Sequence, residues 1–347
     1  IPTEDSQHLL EQFAPAGFMD NFKSLEKEPF AAASIGQIHR GVLNDGSKVV
    51  VKIIKADFEA SFKRDVRRMK RWITIGLFFR RKLRKVGNPI GLFAHIEDYT
   101  LRELNLTNEI SGRNELISKA DEIEKNFPMP KLRFPKMWDE LSNRHVLVME
   151  EIVHPTLEQH LEEGTLSWPD MLELFRIHGA FMFGIGTFHG DLHPGNAMMD
   201  DEGNFIFIDT GAICNAPDHV RNALFGFFYF LAKGELRHAY DAMLTMADVQ
   251  PTGKTLQTYY DSMNSLYDGF VGTSVSEVSL TEQMMKTVKA AVLAGCSFGE
   301  EAFPIIRSLM YMDGMVLKGH PEVDLISSMG PYLDEFSVLI DPHSIIK

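Results

Sequence analysis

The residues best suited to chemistry lie in the segment HGDLHPGN at 189–196, which follows a long apolar stretch. Asp191 and Asn196 are five positions apart in it, and Asp209 follows a second apolar run, in the sequence IDTG. This order matches that of a kinase-like site for phosphoryl transfer: an aspartate for the attacking hydroxyl, an asparagine for one magnesium ion and an aspartate for the metal at the phosphates. Oxygen ligands also suit Mg²⁺. The order therefore predicts a kinase-like site that uses ATP and Mg²⁺.

A lysine upstream supplies a cation for the nucleotide. Lys52 lies near the end of the apolar segment VVVKI, where its ammonium reaches the α- and β-phosphates when an acidic residue on a following helix holds it. The preceding segment is unusual, because PFAAASIGQIHRG occupies the place of the G-x-G-x-x-G loop of a typical protein kinase. Alanine excludes most positive-φ conformations that glycine allows, so we expect a stiffer loop that presents its NH groups differently.

The elements that position these residues change character along the chain. A β-hairpin is predicted from Phe30 to Ile54, with its turn at Asn44-Asp45-Gly46. Amphipathic periodicity predicts long helices at residues 57–85 and 92–125, and an apolar run predicts a strand at 145–152.

The second half reads as mostly helical. A helix is predicted from Trp168 that runs directly into residue 189, and the segments NAMMD and NFIFID predict two short strands around the turn DEGN. Helical patterns follow Pro217 to the end of the chain. The pattern therefore predicts an α+β protein whose β-containing half meets its helical half near Glu151.

Composition excludes several classes of function. The net charge of −13 over 347 residues disfavours nucleic acid as a partner, because a phosphate-tracking surface is basic. The two cysteines, Cys214 and Cys296, have no metal-binding spacing and make no disulfide framework. No apolar run approaches the ~20 residues that a membrane-spanning helix needs.

One basic segment departs from this acidic background. The stretch FKRDVRRMKRWITIGLFFRRKLRKV contains eleven Lys or Arg against one acid and carries Trp72, Phe78 and Phe79 at its apolar centre. Such a segment suits the headgroup region of an anionic bilayer. It equally suits a solvated helix whose apolar stripe packs on the domain, and both interpretations remain open.

Taken together, the motifs resemble the UbiB family of atypical protein-kinase-like proteins, which are linked to ubiquinone biosynthesis. The resemblance rests on PFAAASIGQIHRG, VVVKI, RELNLTNE, HGDLHPGN and IDTGA, and it extends from about Pro29 onward. It implies a bilobal protein-kinase-like fold that binds ATP with Mg²⁺ between the lobes. The catalytic residues are then Asp191, Lys52 and Glu109, and the metal ligands Asn196 and Asp209. The implied nucleotide-binding residues are Ala31, Ala32, Ala33, Ser34, Ile35, Gly36, Gln37, Lys52, Glu150 and Ile152.

Two departures from the family pattern bear on this assignment. The family's E-x-D element falls on ELN, so Glu103 matches while Asn105 replaces the aspartate, which puts the local charge network in doubt. The family's K-x-G-Q element is also absent from this sequence. Because the sequence starts at Ile1 without an initiator Met, we expect that this element belongs to a missing segment.

The resemblance implies a domain organisation and a function. We expect an N-terminal family segment at 1–29, an N-lobe at 30–151 with a helical insertion at 55–125, and a helical C-lobe at 152–347. The expected activity is that of an atypical kinase or ATPase supporting isoprenoid-lipid biosynthesis at a membrane surface. That surface would be the cytoplasmic face of a bacterial membrane or lie inside a mitochondrion or plastid. The expected partners are ATP, an anionic membrane surface and lipid-like quinone precursors. The alternatives are a small-molecule kinase of the aminoglycoside or choline type and a catalytically silent nucleotide-binding module.

Overall fold

The computed structural model describes residues 3–33, 36–54, 62–72, 101, 104–299 and 302–346. The chain forms two compact units. The first comprises Ile1–Glu115, Phe134–Val153 and Asp209–Ala212, and the second comprises Leu116–Arg133, His154–Ile208 and Ile213–Lys347. Asp209 therefore belongs to the same unit as Lys52, although 157 positions separate the two residues.

The elements are as follows. The strands are β1 (Phe22–Leu25), β2 (Ala31–Ala33), β3 (Gly36–Leu43), β4 (Lys48–Ile54), β5 (Leu132–Arg133), β6 (Val146–Glu150), β7 (Thr187–His189), β8 (Ala197–Met199), β9 (Phe205–Phe207) and β10 (Ile213–Asn215). The helices are α1 (Thr3–Phe13), α2 (Thr107–Ile123), α3 (Leu157–Glu163), α4 (Trp168–Gly179), α5 (Asp218–Ala232), α6 (Leu236–Thr245), α7 (Gly253–Tyr267), α8 (Leu280–Leu293), α9 (Phe303–Gly319), α10 (Leu325–Phe336) and α11 (Pro342–Ile345).

The first unit is built on a five-stranded antiparallel sheet. Its order is β1-β3-β4-β6, and β2 pairs with β3. The β3–β4 pairing confirms the predicted hairpin, whose turn places Gly46 at φ 90°, and β6 confirms the strand predicted at 145–152. A sheet of this kind presents alternate side chains to opposite faces.

The two faces of strand β4 have different roles. Val49, Val51 and Ile53 are buried on one face, in a core that includes Phe18 and other apolar residues. Lys52 lies between two of these residues, so its side chain projects from the opposite face. The position of the lysine on that face follows directly from the two-residue period of the strand.

The alanine triplet forms a strand rather than the expected loop. Ala31, Ala32 and Ala33 are β2 and pair with Ile38, Gln37 and Gly36 of β3. Only the connection, Ser34 and Ile35, lies outside the described residues. The local pattern could not show this strand, because its hydrogen-bond partners are supplied by β3.

The predicted helices of the insertion fall only partly within the described residues. Residues 62–72 are helical, in agreement with the helix predicted at 57–85. The helix predicted at 92–125 begins, within the described residues after 104, at Thr107, where Asn105 Oδ1 accepts hydrogen bonds from Thr107 N and Oγ1 at 3.3 and 2.8 Å. Asparagine favours this Asx-turn, in which its side chain accepts from the amide two residues further on. Residues 73–100, with Phe78 and Phe79, lie outside the described part.

The second unit corrects the prediction of one continuous helix into residue 189. Helix α4 ends at Gly179 and is followed by a π-helix (Ala180–Ile185) and by Gly186 at φ 87°. Strand β7 then leads to His189 and pairs antiparallel with β10. The strand was missed because its pairing partner is distant in sequence, whereas the apolar run before it has helical periodicity.

The remaining short strands and the C-terminal helices follow the prediction. Strands β8 and β9 form the antiparallel pair around the DEGN turn, and β5 adds a parallel partner to β9. Helices α5 to α11 follow Pro217 within the described residues. The aromatic side chains of α5 are mostly buried and form much of the core of this unit.

Candidate active site

A buried ion pair lies within the first unit. Lys52 Nζ contacts Glu109 Oε1 at 2.5 Å and Asp209 Oδ2 at 3.5 Å. The Glu109 side chain is almost fully buried, whereas that of Asp209 is 43% exposed. The structure thus brings three sequence-predicted site residues together, one each from a strand, a helix and the segment after β9.

The two acidic side chains keep Lys52 protonated. Burial by itself lowers the pKa of the Lys52 ammonium, but the nearby Glu109 and Asp209 outweigh burial and raise the pKa well above its usual range. The lysine therefore remains a cation. A permanent cation beside a half-exposed carboxylate can receive the phosphates of a nucleotide.

The segment that carries Asp209 is attached to helix α2. Thr210 is fully buried, and its Oγ1 donates a hydrogen bond of 2.7 Å to the main-chain oxygen of Glu109. The next residue is Gly211, where a Cβ atom would come within 3.3 Å of Glu109 Cγ. A small residue at 211 thus lets the segment lie close to the glutamate.

The second unit holds the HGDLHPGN segment in a network of hydrogen bonds. Asn196 Nδ2 donates to the main-chain oxygen of Asp191 at 3.0 Å and to its Oδ2 at 3.3 Å. The Asp191 amide donates to His189 Nδ1 at 3.2 Å, which places the proton of a neutral His189 on Nε2. His189 also packs edge-on against Phe207, with ring centroids 5.7 Å apart. It thus braces the loop.

Two site residues were missed by sequence reasoning. Arg307 Nη2 donates to the main-chain oxygen of Gly190 at 2.6 Å, and the Tyr311 hydroxyl donates to Asp191 Oδ1 at 2.7 Å. Both belong to α9, more than a hundred residues after the loop. Nothing in the local pattern of α9 marks them, because an arginine and a tyrosine one turn apart are common on half-buried helices.

Not all residues expected to bind the nucleotide lie on the same face of the sheet as Lys52. Gln37 lies opposite Ile53 in the sheet, so its side chain projects from the face opposite Lys52, where its Oε1 lies 3.3 Å from His39 Nε2. The backbone NH of Glu150 donates to the main-chain oxygen of Lys136 at 2.8 Å, and Ile152 is half-buried. The Gln37 side chain is therefore not on the lysine face, and the Glu150 NH is already engaged.

Gly36 has a steric role that the sequence did not show. A Cβ atom there would lie 2.2 Å from the main-chain oxygen of Ile53. Glycine is required here because the backbones of β3 and β4 approach closely. The φ angle of Gly36 is not positive, so the requirement is steric and does not come from the backbone conformation.

The donor atoms available for a cation are oxygens. Asn196 uses its Nδ2 on Asp191, which leaves its Oδ1 as an acceptor, and the Asp209 carboxylate is half-exposed. Oxygen donors of this kind fit Mg²⁺ and not a thiolate- or imidazole-bound metal. Among the described residues, no cluster of three His, Cys, Asp or Glu side chains is arranged to hold a metal ion.

The sheet with its lysine–glutamate pair and the Asp-x-x-x-x-Asn loop define a protein-kinase-like molecule. A model of the ABC1 atypical kinase-like domain matches residues 1–243. The chain therefore belongs to the ABC1 atypical kinase-like family, and the expected resemblance to UbiB proteins is confirmed.

Several relatives cover most of the chain. It is 26% identical to an uncharacterized protein of Synechocystis over 99% of the chain and 61% of that protein. It is 24% identical to the chloroplastic protein Activity of bc1 complex kinase 7 of Arabidopsis thaliana, over 96% and 47%. It is also 24% identical to the probable protein kinase UbiB of Sodalis glossinidius, over 91% and 58%. The chain thus spans about half to three-fifths of the length of these relatives.

A solved structure shows the same fold. The Mycobacterium tuberculosis protein Rv3197, determined with erythromycin, superposes with a TM-score of 0.63 over 98% of this chain and 83% of its own. The two chains are 18% identical, so the likeness concerns the fold alone. The kinase-like fold expected from the sequence is confirmed.

Proposed function

We propose that the protein is an atypical kinase or ATPase that binds ATP with Mg²⁺ and transfers the terminal phosphoryl group to water or to an acceptor hydroxyl. The observation that carries the proposal is the cluster of Lys52, Glu109 and Asp209, which unites a fixed cation with a half-exposed carboxylate. A structural ion pair needs no third, partly exposed acid beside it. A phosphate-binding site that uses Mg²⁺ does, because the acid supplies an oxygen ligand to the metal.

Each residue has a distinct part in this proposal. Lys52 binds the nucleotide phosphates and Glu109 holds its ammonium in place, while Asp209 and Asn196 supply oxygens to the metal. Asp191 orients the attacking hydroxyl and accepts its proton on a carboxylate oxygen. The bound magnesium would neutralise phosphate charge and orient the phosphates.

Two aspartate variants and a control test this assignment. Asp209→Asn should abolish Mg²⁺-dependent binding of ATP, and Asp191→Asn should retain binding and lose phosphate release, because only the first residue is assigned to the metal. Asp139→Asn, at an exposed position of the same unit as Asp209, is the control for the change of charge. Calorimetric titration with ATP or ADP and a phosphate-release assay report the two steps. Equal affinity and equal turnover in the wild type and Asp209→Asn would reject the proposal, and binding without any turnover in the wild type would favour a silent nucleotide-binding module.

We further propose that the basic helix at residues 62–72 contacts an anionic membrane surface. Arg67, Arg68 and Arg71 are exposed, and Trp72 is 72% exposed beside them. A helix packed on the domain through its aromatic residue would bury that residue. Basic side chains with an adjacent exposed tryptophan are typical of interfacial binding, at about 1 kcal/mol per basic residue. No helix among the described residues has the length and hydropathy to cross a bilayer.

Vesicle binding tests the membrane proposal independently of the chemistry. Changing Arg67, Arg68 and Arg71 to glutamine should weaken binding to phosphatidylserine-containing vesicles by about 3 kcal/mol, and binding should decrease with salt. The matched control changes three exposed lysines elsewhere, Lys23, Lys48 and Lys254, to glutamine. Tryptophan emission should shift on vesicle addition in the wild type and not in Trp72→Phe. Equal losses in the two triple variants would indicate a net-charge effect and contradict a specific surface.

The family's association with lipid-like quinones motivates a proposal for the acceptor. We propose that a prenylated phenol or a related quinone precursor, presented by the membrane, stimulates or accepts phosphoryl transfer. ADP release should rise when such a lipid is added to anionic vesicles and should not rise with a prenyl chain that lacks the phenol. No difference between the two lipids would contradict this part of the proposal alone.

A further inference from the structure

The HGDLHPGN loop is held by a helix that lies beyond the residues matched by the ABC1 model. The ABC1 model ends at residue 243, whereas α9 spans Phe303–Gly319. Arg307 and Tyr311 are four positions apart on α9 and therefore project from the same side of the helix. Both contact the loop around Asp191.

The two contacts restrain different parts of the loop. The Arg307 guanidinium donates to the main-chain oxygen of Gly190, directly before the aspartate, at 2.6 Å. The Tyr311 hydroxyl donates to Asp191 Oδ1, while Asn196 donates to Asp191 Oδ2. Both carboxylate oxygens thus accept a hydrogen bond from a side chain, and the rotation of the carboxylate is restricted. Each oxygen retains acceptor capacity for a substrate hydroxyl.

The helix itself is well anchored, so Tyr311 is not a mobile donor. Asp313, two residues further along α9, is almost fully buried. Its carboxylate accepts hydrogen bonds from Ser279 Oγ, Leu280 N and Thr281 N at 2.6, 3.0 and 3.1 Å, at the start of α8. The Tyr311 ring also meets His193 of the loop edge-on, at 5.6 Å between centroids. The Tyr311 side chain therefore extends from an anchored helix and contacts the loop through both its hydroxyl and its ring.

We propose that Tyr311 and Arg307 are positioning residues for Asp191, so that the helical segment beyond residue 243 completes the catalytic loop. The proposal rests on the function proposed above, because it assigns a role to the Asp191 carboxylate in phosphoryl transfer. Neither residue binds the nucleotide. Both act on turnover by fixing the direction of the Asp191 oxygens.

Tyr311→Phe tests the tyrosine, because it removes only the hydroxyl. We expect kcat for Mg²⁺-dependent phosphate release to fall about 10–100-fold, as for the loss of one hydrogen bond to a charged group. The KM for ATP and the calorimetric affinity for ADP should remain within about twofold, because Lys52, Glu109 and Asp209 are unchanged. A role in folding alone would instead lower the melting temperature without this separation of kcat from KM.

The matched control is Tyr260→Phe. The Tyr260 hydroxyl donates to Asp241 Oδ1 at 2.6 Å, on helices α7 and α6, so the same tyrosine–aspartate hydrogen bond is removed away from the loop. Kinetic constants of this variant should equal those of the wild type.

The role of Arg307 is tested by two substitutions. Arg307→Lys, which keeps the charge, should retain more turnover than Arg307→Met, and amide exchange in residues 189–196 should be faster in Arg307→Met.

The outcomes separate the two proposals. If the wild type releases phosphate and Tyr311→Phe keeps its full kcat, the positioning role is wrong while the proposed function stands. An equal loss of kcat in Tyr260→Phe, or a rise in KM with kcat unchanged, would also overturn it. If the wild type neither binds ATP nor releases phosphate, the proposed function fails and this inference fails with it.

Discussion

Thr210 Oγ1 donates a hydrogen bond of 2.7 Å to the main-chain oxygen of Glu109, across 101 positions of the sequence. The bond is buried, and it joins the segment of Asp209 to the helix that carries the partner of Lys52. The lysine, the glutamate and the aspartate therefore share one rigid framework within the first unit. Their relative placement depends on Thr210, whose contact with Glu109 the motif IDTGA does not by itself reveal.

Thr210→Val should loosen this framework. The substitution keeps the shape of the side chain and leaves a buried carbonyl with one donor fewer, so we expect a loss of about 1–3 kcal/mol in the free energy of unfolding. The affinity for Mg·ADP should also fall, because Asp209 is less well placed. The control is Thr245→Val, which removes a hydrogen bond of 2.7 Å to Ala242 O in helix α6. Urea titration and calorimetry measure both effects, and an unchanged nucleotide affinity in Thr210→Val would contradict the positioning argument.

Glu109→Gln should destabilise the protein more than the loss of an exposed ion pair does. Removing one charge of a buried pair typically costs roughly 3–5 kcal/mol, and we expect somewhat less here because Asp209 stays near Lys52. Glu122→Gln changes the same residue type on the same helix, in an exposed pair with Lys119 at 2.9 Å, and should cost less than about 1 kcal/mol. Equal stability of the two variants would show that the pair with Lys52 is not structurally important. Phosphate release should decrease only in Glu109→Gln.

Gly36→Ala should distort the start of the β3–β4 pair. The added methyl group would meet the main-chain oxygen of Ile53 at 2.2 Å, and a backbone atom cannot move aside as a side chain does. We expect a loss of about 1–3 kcal/mol, as for overpacked sites, together with weaker ATP binding. The control, Gly314→Ala, introduces a methyl group into open space on helix α9 and should be neutral or stabilising. A Gly36→Ala variant as stable as the wild type would show that the strands separate at no cost.

His178 should make the protein less stable in mild acid. Burial, together with the neighbouring His189, lowers the pKa of His178 to about 3, and neither ring nitrogen has a hydrogen-bond partner among the described residues. In the unfolded chain the same group takes up a proton near pH 6.5. Between these values the unfolded state binds more protons, so the free energy of unfolding decreases as the pH falls.

The expected size of this effect is measurable. From pH 7 to pH 5, His178 should contribute a loss of about 2 kcal/mol. His178→Leu should lack this contribution, and the same change at the exposed His219 is the control for the substitution itself. Urea denaturation at several pH values gives the comparison. A pH dependence that is identical in His178→Leu and the wild type would show that the buried histidine is not responsible.

Local chemistry is what the sequence determined by itself. The turn Asn44-Asp45-Gly46 and the β-branched strand after it predicted the hairpin and the position of Lys52, since turn geometry and the two-residue period are properties of neighbouring residues. The order of Asp191, Asn196 and Asp209 likewise predicted a kinase-like class, which the ABC1 match supports. These features require no knowledge of the tertiary structure.

Only the tertiary structure decided which distant residues meet. It placed Asp209 beside Lys52, turned the alanine triplet into a strand and brought Tyr311 to Asp191. The contacts of Asp209 and Tyr311 join residues that are far apart in the sequence. The alanine strand depends on hydrogen-bond partners that β3 supplies. Sequence periodicity indicates which face of a helix or strand is buried. It does not indicate which element packs against that face, because many elements satisfy the same apolar pattern.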